Sequence, residues 1–125
     1  MFRILLVSGF GVIGVLSRFC IDEFAIRFQP PLPAGTLVIN VLGSFLAGLL
    51  FVAGTERGWF SPDVRTALMV GLMGGFTTFS AYSLQTVRML ESGNMTAGAL
   101  YFVGSPFLGL IAAYCGIVLG RMVIA

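Results

Sequence analysis

Four apolar stretches, Ile4 to Ile21, Ala34 to Thr55, Val64 to Leu90 and Met95 to Gly120, account for most of this 125-residue chain. Each is near the length that crosses a bilayer, since roughly 20 apolar residues span the hydrocarbon as an α-helix. The chain is 58% hydrophobic and 10% charged, and its mean hydropathy is +1.02. Soluble domains carry about 25% charge. The expected fold is therefore an all-α membrane protein, a single domain over residues 1–125 with four transmembrane helices. A loop with Pro30, Pro31 and Pro33, a loop from Gly54 to Asp63 and a turn at Glu91 to Asn94 connect them. No Rossmann or P-loop glycine pattern occurs, and no nucleic-acid partner is expected. The run after Arg3 lacks a small-residue cleavage site, and bulky Phe19 before Cys20 spoils a lipoprotein pattern, so the first stretch reads as a retained helix. Cys20 and Cys115 lie in apolar settings without metal-like spacing and read as packing residues.

The third stretch departs from an ordinary spanning helix. From Gly71 to Ser83 it reads Gly-Leu-Met-Gly-Gly-Phe-Thr-Thr-Phe-Ser-Ala-Tyr-Ser, placing adjacent glycines and hydroxyls at mid-membrane. The expectation is a helix broken in the membrane. Backbone groups freed at such a break survive only if they are buried in protein or line a polar path. Interrupted helices whose freed carbonyls hold ions are a recurring membrane binding site.

Charge placement suggests an assembly. All seven basic residues are arginines. With four spans, Arg3, Arg57, Arg65 and Arg121 fall on one side of the membrane and Arg18, Arg27 and Arg88 on the other. Orientation normally follows the excess of positive charge in cytoplasmic loops. So even a distribution permits insertion either way round, and an antiparallel, dual-topology homodimer is the expected consequence. Gly71 with Gly75, and Gly116 with Gly120, are small-xxx-small pairs that let helix backbones approach closely, and they are expected to supply contact surfaces for it.

Polar residues at membrane depth must find partners. Asn40 lies in the second span, where it serves either as helix-to-helix glue or in a pore. Tyr101 and Ser105 are four apart on one face of the fourth span. Pro106, lacking an N–H, leaves the carbonyl of Phe102 unpaired and is expected to kink that helix. Asn40, Thr77, Thr78, Ser80, Ser83, Tyr101 and Ser105 together offer donors and no carboxylate, which favours an anion. The five acids, Asp22, Glu23, Glu56, Asp63 and Glu91, lie in loops or at helix ends. Phe79 and Tyr82 could turn their electropositive ring edges to a dehydrated anion, or simply pack. Arg18, near one end of the first span, either holds positive potential at a mouth or snorkels to the headgroups.

In length, in four-helix layout and in two motifs, Gly35-Thr-Leu-Val-Ile-Asn40 and Gly74-Gly-Phe-Thr-Thr-Phe-Ser80, the chain resembles the Fluc (CrcB) fluoride channels. The resemblance implies a passive fluoride channel, not an enzyme, in the inner cell membrane. It implies an antiparallel homodimer with two pores and a structural sodium ion at its centre. By the same resemblance, backbone carbonyls of Gly74 and Thr77 hold the sodium. Asn40 is the pore asparagine and Phe79 the first pore phenylalanine. Thr78 and Ser80 belong to the fluoride pathway, Tyr101 and Ser105 to a polar track, and Arg18 to a vestibule. The chain departs from the family pattern at Tyr82, where a second phenylalanine is usual, at Ala81, at Gly109 and at Pro106. A small multidrug-type antiporter would need a glutamate deep in a span. A non-transporting structural subunit would leave the donor track and broken helix without a use.

Overall fold

The computed structural model describes residues 1–28 and 32–125, so Pro30 and Pro31 of the first expected loop lie outside the described residues. Every regular element among the described residues is helical. α1 (Phe2–Ile26) is followed by α2 (Ala34–Phe51), which widens into a π-helical end at Val52–Glu56. The third span begins with α3 (Pro62–Thr66), passes through a π-helical segment (Ala67–Met73) into α4 (Gly74–Phe76), and resumes as α5 (Phe79–Glu91). The last helix is α6 (Met95–Val123). These elements form four membrane-length spans, Phe2–Ile26, Ala34–Glu56, Pro62–Glu91 and Met95–Val123. The chain is thus a multi-pass membrane protein, with spans close to those read from hydropathy.

Local chemistry sets the boundaries. Ser61 caps α3 by accepting the Val64 N–H at 3.4 Å. Pro62 and Asp63 occupy the first turn, where a missing N–H costs nothing and a negative charge meets the helix dipole favourably. Between α5 and α6 the chain reverses through Gly93, whose φ of 84° suits a residue without Cβ.

Helix packing depends on glycine. α1 lies along the π-helical segment and α4, while α2 lies along α6. A Cβ on Gly75 would stand 2.7 Å from the Gly11 carbonyl oxygen, and one on Gly71 would stand 2.6 Å from that of Val7. A Cβ on Gly14 would strike the Leu72 carbonyl in return. The second pair behaves alike: a Cβ on Gly116 would meet the Phe45 carbonyl, and one on Gly48 the carbonyl of Ala113. Both expected glycine pairs are therefore used inside one chain. This corrects the reading of them as subunit contact surfaces, because backbones already in contact leave no groove for a second molecule.

Two ion pairs gather at one end of the bundle. Arg3 reaches Asp63 at 2.6 Å and Arg121 reaches Glu56 at 2.5 Å. They join the start of α1 to α3 and the end of α6 to the end of the second span, which agrees with grouping Arg3 and Arg121 on one membrane side.

Candidate functional site

The third span breaks within the expected motif. The helix stops at Phe76, Thr77 (φ −84°, ψ 158°) and Thr78 (φ −149°, ψ 113°) are extended, and the helix restarts at Phe79. Two extended residues inside a membrane leave peptide groups that must be satisfied by other means.

Asn40 supplies the largest part of that satisfaction. Its Nδ2 donates to the Thr78 carbonyl at 2.9 Å, and its Oδ1 accepts the Thr78 N–H at 2.8 Å. A primary amide presents one donor and one acceptor side by side, so it pairs with a peptide group as another peptide would. Neighbouring hydroxyls complete the cap. Thr78 Oγ1 accepts the Ala81 N–H at 3.2 Å, and the Thr77 hydroxyl donates to the Met73 carbonyl at 2.8 Å. Gly43 allows the approach, since a Cβ there would run into the Thr77 side chain.

The rearrangement leaves particular carbonyls behind. In a continuous helix the Thr78 N–H would bond Gly74 and the Ala81 N–H would bond Thr77. Both donors are diverted, one to Asn40 and one to Thr78 Oγ1. The carbonyls of Gly74 and Thr77 thereby lose their helical partners.

Beside the break runs a groove of about 570 Å³, walled by Asn40, Ser44, Thr77, Thr78, Phe79, Tyr82, Ser105, Pro106 and Gly109 with apolar neighbours. Among the described residues, no carboxylate lines it. The Phe79 and Tyr82 ring centroids are 5.7 Å apart, with planes inclined at 48°. The two rings differ in setting: Tyr82 is 6% exposed, whereas Phe79 is 79% exposed. The Tyr82 hydroxyl donates to the Phe102 carbonyl at 2.5 Å. α6 continues through Pro106 as one helix.

Tyr101 occupies a different place. It does not line the groove but lies behind Tyr82, with ring centroids 5.3 Å apart. Its hydroxyl donates to Gln85 Oε1 at 2.9 Å, and Gln85 Nε2 donates to Thr36 Oγ1 at 2.9 Å. Thr36 and Gln85 in turn line a second cavity of about 630 Å³ together with Asp22. Of the residues singled out from the sequence, Asn40, Thr77, Thr78, Phe79, Tyr82 and Ser105 thus converge on one groove. Ser80 stands outside it, with its hydroxyl 3.3 Å from Thr78 Oγ1. Ser83 turns back to the Phe79 carbonyl at 2.9 Å. Arg18 lies on α1, one turn before Asp22, and lines neither cavity.

Three polar residues were missed: Thr36, Ser44 and Gln85. A signal existed for two of them, because Thr36, Asn40 and Ser44 recur every fourth residue and so form a stripe on one face of α2. Ser44 closes the stripe by donating to the Asn40 carbonyl at 2.7 Å.

Residues 5–117 match the family model described as CrcB-like protein, Camphor Resistance (CrcB). A protein of Rhizobium meliloti named fluoride-specific ion channel FluC is 38% identical over 123 residues, covering 98% of each chain. One of Syntrophotalea carbinolica with the same name is 40% identical over 116 residues, covering 92% of this chain and 94% of its own. Fluoride-specific ion channel FluC 2 of Cutibacterium acnes is 41% identical over 114 residues, covering 90% of this chain and 93% of its own. With the family match reaching into all four spans and containing the broken third helix, this chain belongs to the CrcB family.

Proposed function

We propose that this protein is a fluoride-selective channel that lets the ion leave the cytoplasm passively across the inner membrane. The observation that carries the reading is the Asn40-capped break beside a groove with amide, hydroxyl and aromatic walls and no carboxylate. Fluoride is small and strongly hydrated, so a selective path has to replace its water with close donors. Asn40 suits that role because Thr78 fixes its amide plane through two bonds while one of its two Nδ2 hydrogens stays uncommitted. Ser105 and the ring edges of Phe79 and Tyr82 extend the donor wall. Thr78 and Ser80 shape its start, and Tyr101 backs it through the Gln85 and Thr36 chain.

The working unit is an antiparallel homodimer with two pathways. Phe79 fits this reading, since its ring lines the groove and is 79% exposed in one chain, where a second copy would close the groove over it. The even split of arginines between the two membrane sides fits opposite insertion of the two copies. The residues also fit a sodium ion at the dimer centre: the Gly74 and Thr77 carbonyls, deprived of helical donors, would hold it from both subunits. When bound, such an ion supplies the positive charge that offsets converging carbonyl dipoles. Arg18 contributes positive potential near one mouth, beside the cavity that Asp22 lines.

The test is anion efflux from liposomes loaded with potassium fluoride or potassium chloride, with valinomycin carrying the counter-ion. Rapid fluoride release with negligible chloride release is expected. Absence of release from a folded dimer would overturn the channel reading, and equal release of both anions would overturn the selectivity mechanism.

A further inference from the structure

Two of the positions at which this chain departs from the pattern it resembles are linked across the groove. Pro106 on α6 has no N–H, so the Phe102 carbonyl one turn earlier has no helical donor. The Tyr82 hydroxyl from α5 donates to that same carbonyl at 2.5 Å. Both Tyr82 and Pro106 line the groove, and Tyr82 is 6% exposed. A phenylalanine could fill the same space but could not reach a carbonyl with a proton.

We infer that Tyr82 and Pro106 form a matched pair that sets the wall of the pathway: the proline opens an acceptor on α6, and the tyrosine hydroxyl occupies it, pinning the ring. The inference rests on the anion-pathway reading and adds a positioning role to it. Three consequences follow from the chemistry. The Tyr82 proton is spent on Phe102, so it is not a donor for the anion, which meets the ring instead. An uncapped carbonyl presents a partial negative charge, and capping it removes a repulsive group from beside an anion path. The bond also ties α5 to α6 near the break, beside the Tyr82 and Tyr101 rings, 5.3 Å between centroids, and the Tyr101 to Gln85 bond.

A double-mutant cycle tests the pair in the full-length protein. Tyr82→Phe removes only the hydroxyl, and Pro106→Ala returns the N–H that Phe102 lacks. Tyr82→Phe is expected to slow fluoride efflux by on the order of tenfold, the scale set by leaving one buried acceptor unsatisfied, and to lower the fluoride-to-chloride permeability ratio read from reversal potentials. Pro106→Ala supplies the second background of the cycle, in which the helix satisfies Phe102 itself, so the double variant is expected to conduct within about threefold of Pro106→Ala and faster than Tyr82→Phe alone. A double variant as slow as Tyr82→Phe alone overturns the inference, as does a single Tyr82→Phe variant with parental flux, selectivity and melting temperature. Should Tyr82→Phe fail to assemble, recovery of the dimer on adding Pro106→Ala supports the pair, and failure in both backgrounds overturns it. Melting temperatures of the four proteins in detergent keep this apart from the functional proposal. If the parent carries no fluoride, that proposal fails by itself, while non-additive melting shifts still support the pair and additive ones overturn it.

Discussion

The side-chain amide of Asn40 pairs with both backbone groups of Thr78, donating to its carbonyl at 2.9 Å and accepting its N–H at 2.8 Å. One side chain from α2 therefore stands in for the peptide that the third span lacks at its break. The sequence left Asn40 between structural glue and pore lining. The geometry joins the two, since the bonds that hold the break also orient an amide in the groove wall.

Replacing Asn40 with alanine should affect stability and transport together. Two peptide groups of Thr78 lose their partner, at a cost of about 0.6 kcal/mol, and at most about 1.7, for each interhelical bond in a membrane protein. The expected result is a lower melting temperature in detergent and fluoride efflux reduced by at least about a hundredfold. Asn40→Asp should recover part of the stability and none of the transport, because a carboxylate accepts the Thr78 N–H but adds charge to an anion path.

Phe79→Ala should separate the two quantities. With its ring 79% exposed, little intrachain packing is lost, so the single-chain fold is expected to survive. Fluoride efflux should drop by roughly tenfold or more, the order of a transition-state loss of ~1.4 kcal/mol or above. Efflux measured beside gel filtration of the same sample checks this; unchanged flux would remove Phe79 from the pathway.

Gln85→Leu should break the chain from Tyr101 through Gln85 to Thr36. Tyr101 is 2% exposed and donates to Gln85 at 2.9 Å, so its hydroxyl would be left without that partner. A loss of ~1–3 kcal/mol is expected, visible as a drop in melting temperature. Tyr101→Phe in the same background should recover much of it, because removing both partners of a buried bond costs less than removing one. A Gln85→Leu protein that melts like the parent would mean that the chain contributes nothing.

Gly116→Val should destabilise each folded chain, not merely weaken its association. The added Cβ falls against the Phe45 carbonyl where α2 and α6 touch. Overpacking of this kind costs about 1–3 kcal/mol. The expected outcome is reduced recovery of monomeric and dimeric protein alike. A variant that gives stable monomers and no dimers would instead return this face to the subunit interface.

The sequence by itself determined the class and the layout. Long apolar runs between short polar turns fix the number of spans, because no other arrangement hides that much hydrocarbon from water and satisfies every peptide within its own helix. It also determined where the third helix fails, since paired glycines and threonines at mid-span weaken a helix locally. The i, i+4 repeat of Thr36, Asn40 and Ser44 was legible as well, although only Asn40 was taken from it.

Which donors meet was decided by tertiary structure alone. That Asn40 pairs with Thr78, that Tyr82 reaches the carbonyl above Pro106, and that Tyr101 donates its hydrogen bond to Gln85 and not into the groove depend on contacts between residues 16 to 38 positions apart. Those separations follow from how α2, α5 and α6 cross, and periodicity along one helix carries no information about the facing helix. The same holds for the glycine pairs, whose spacing announces a close approach without naming the partner; only packing assigned Gly71 and Gly75 to α1, and Gly116 to α2.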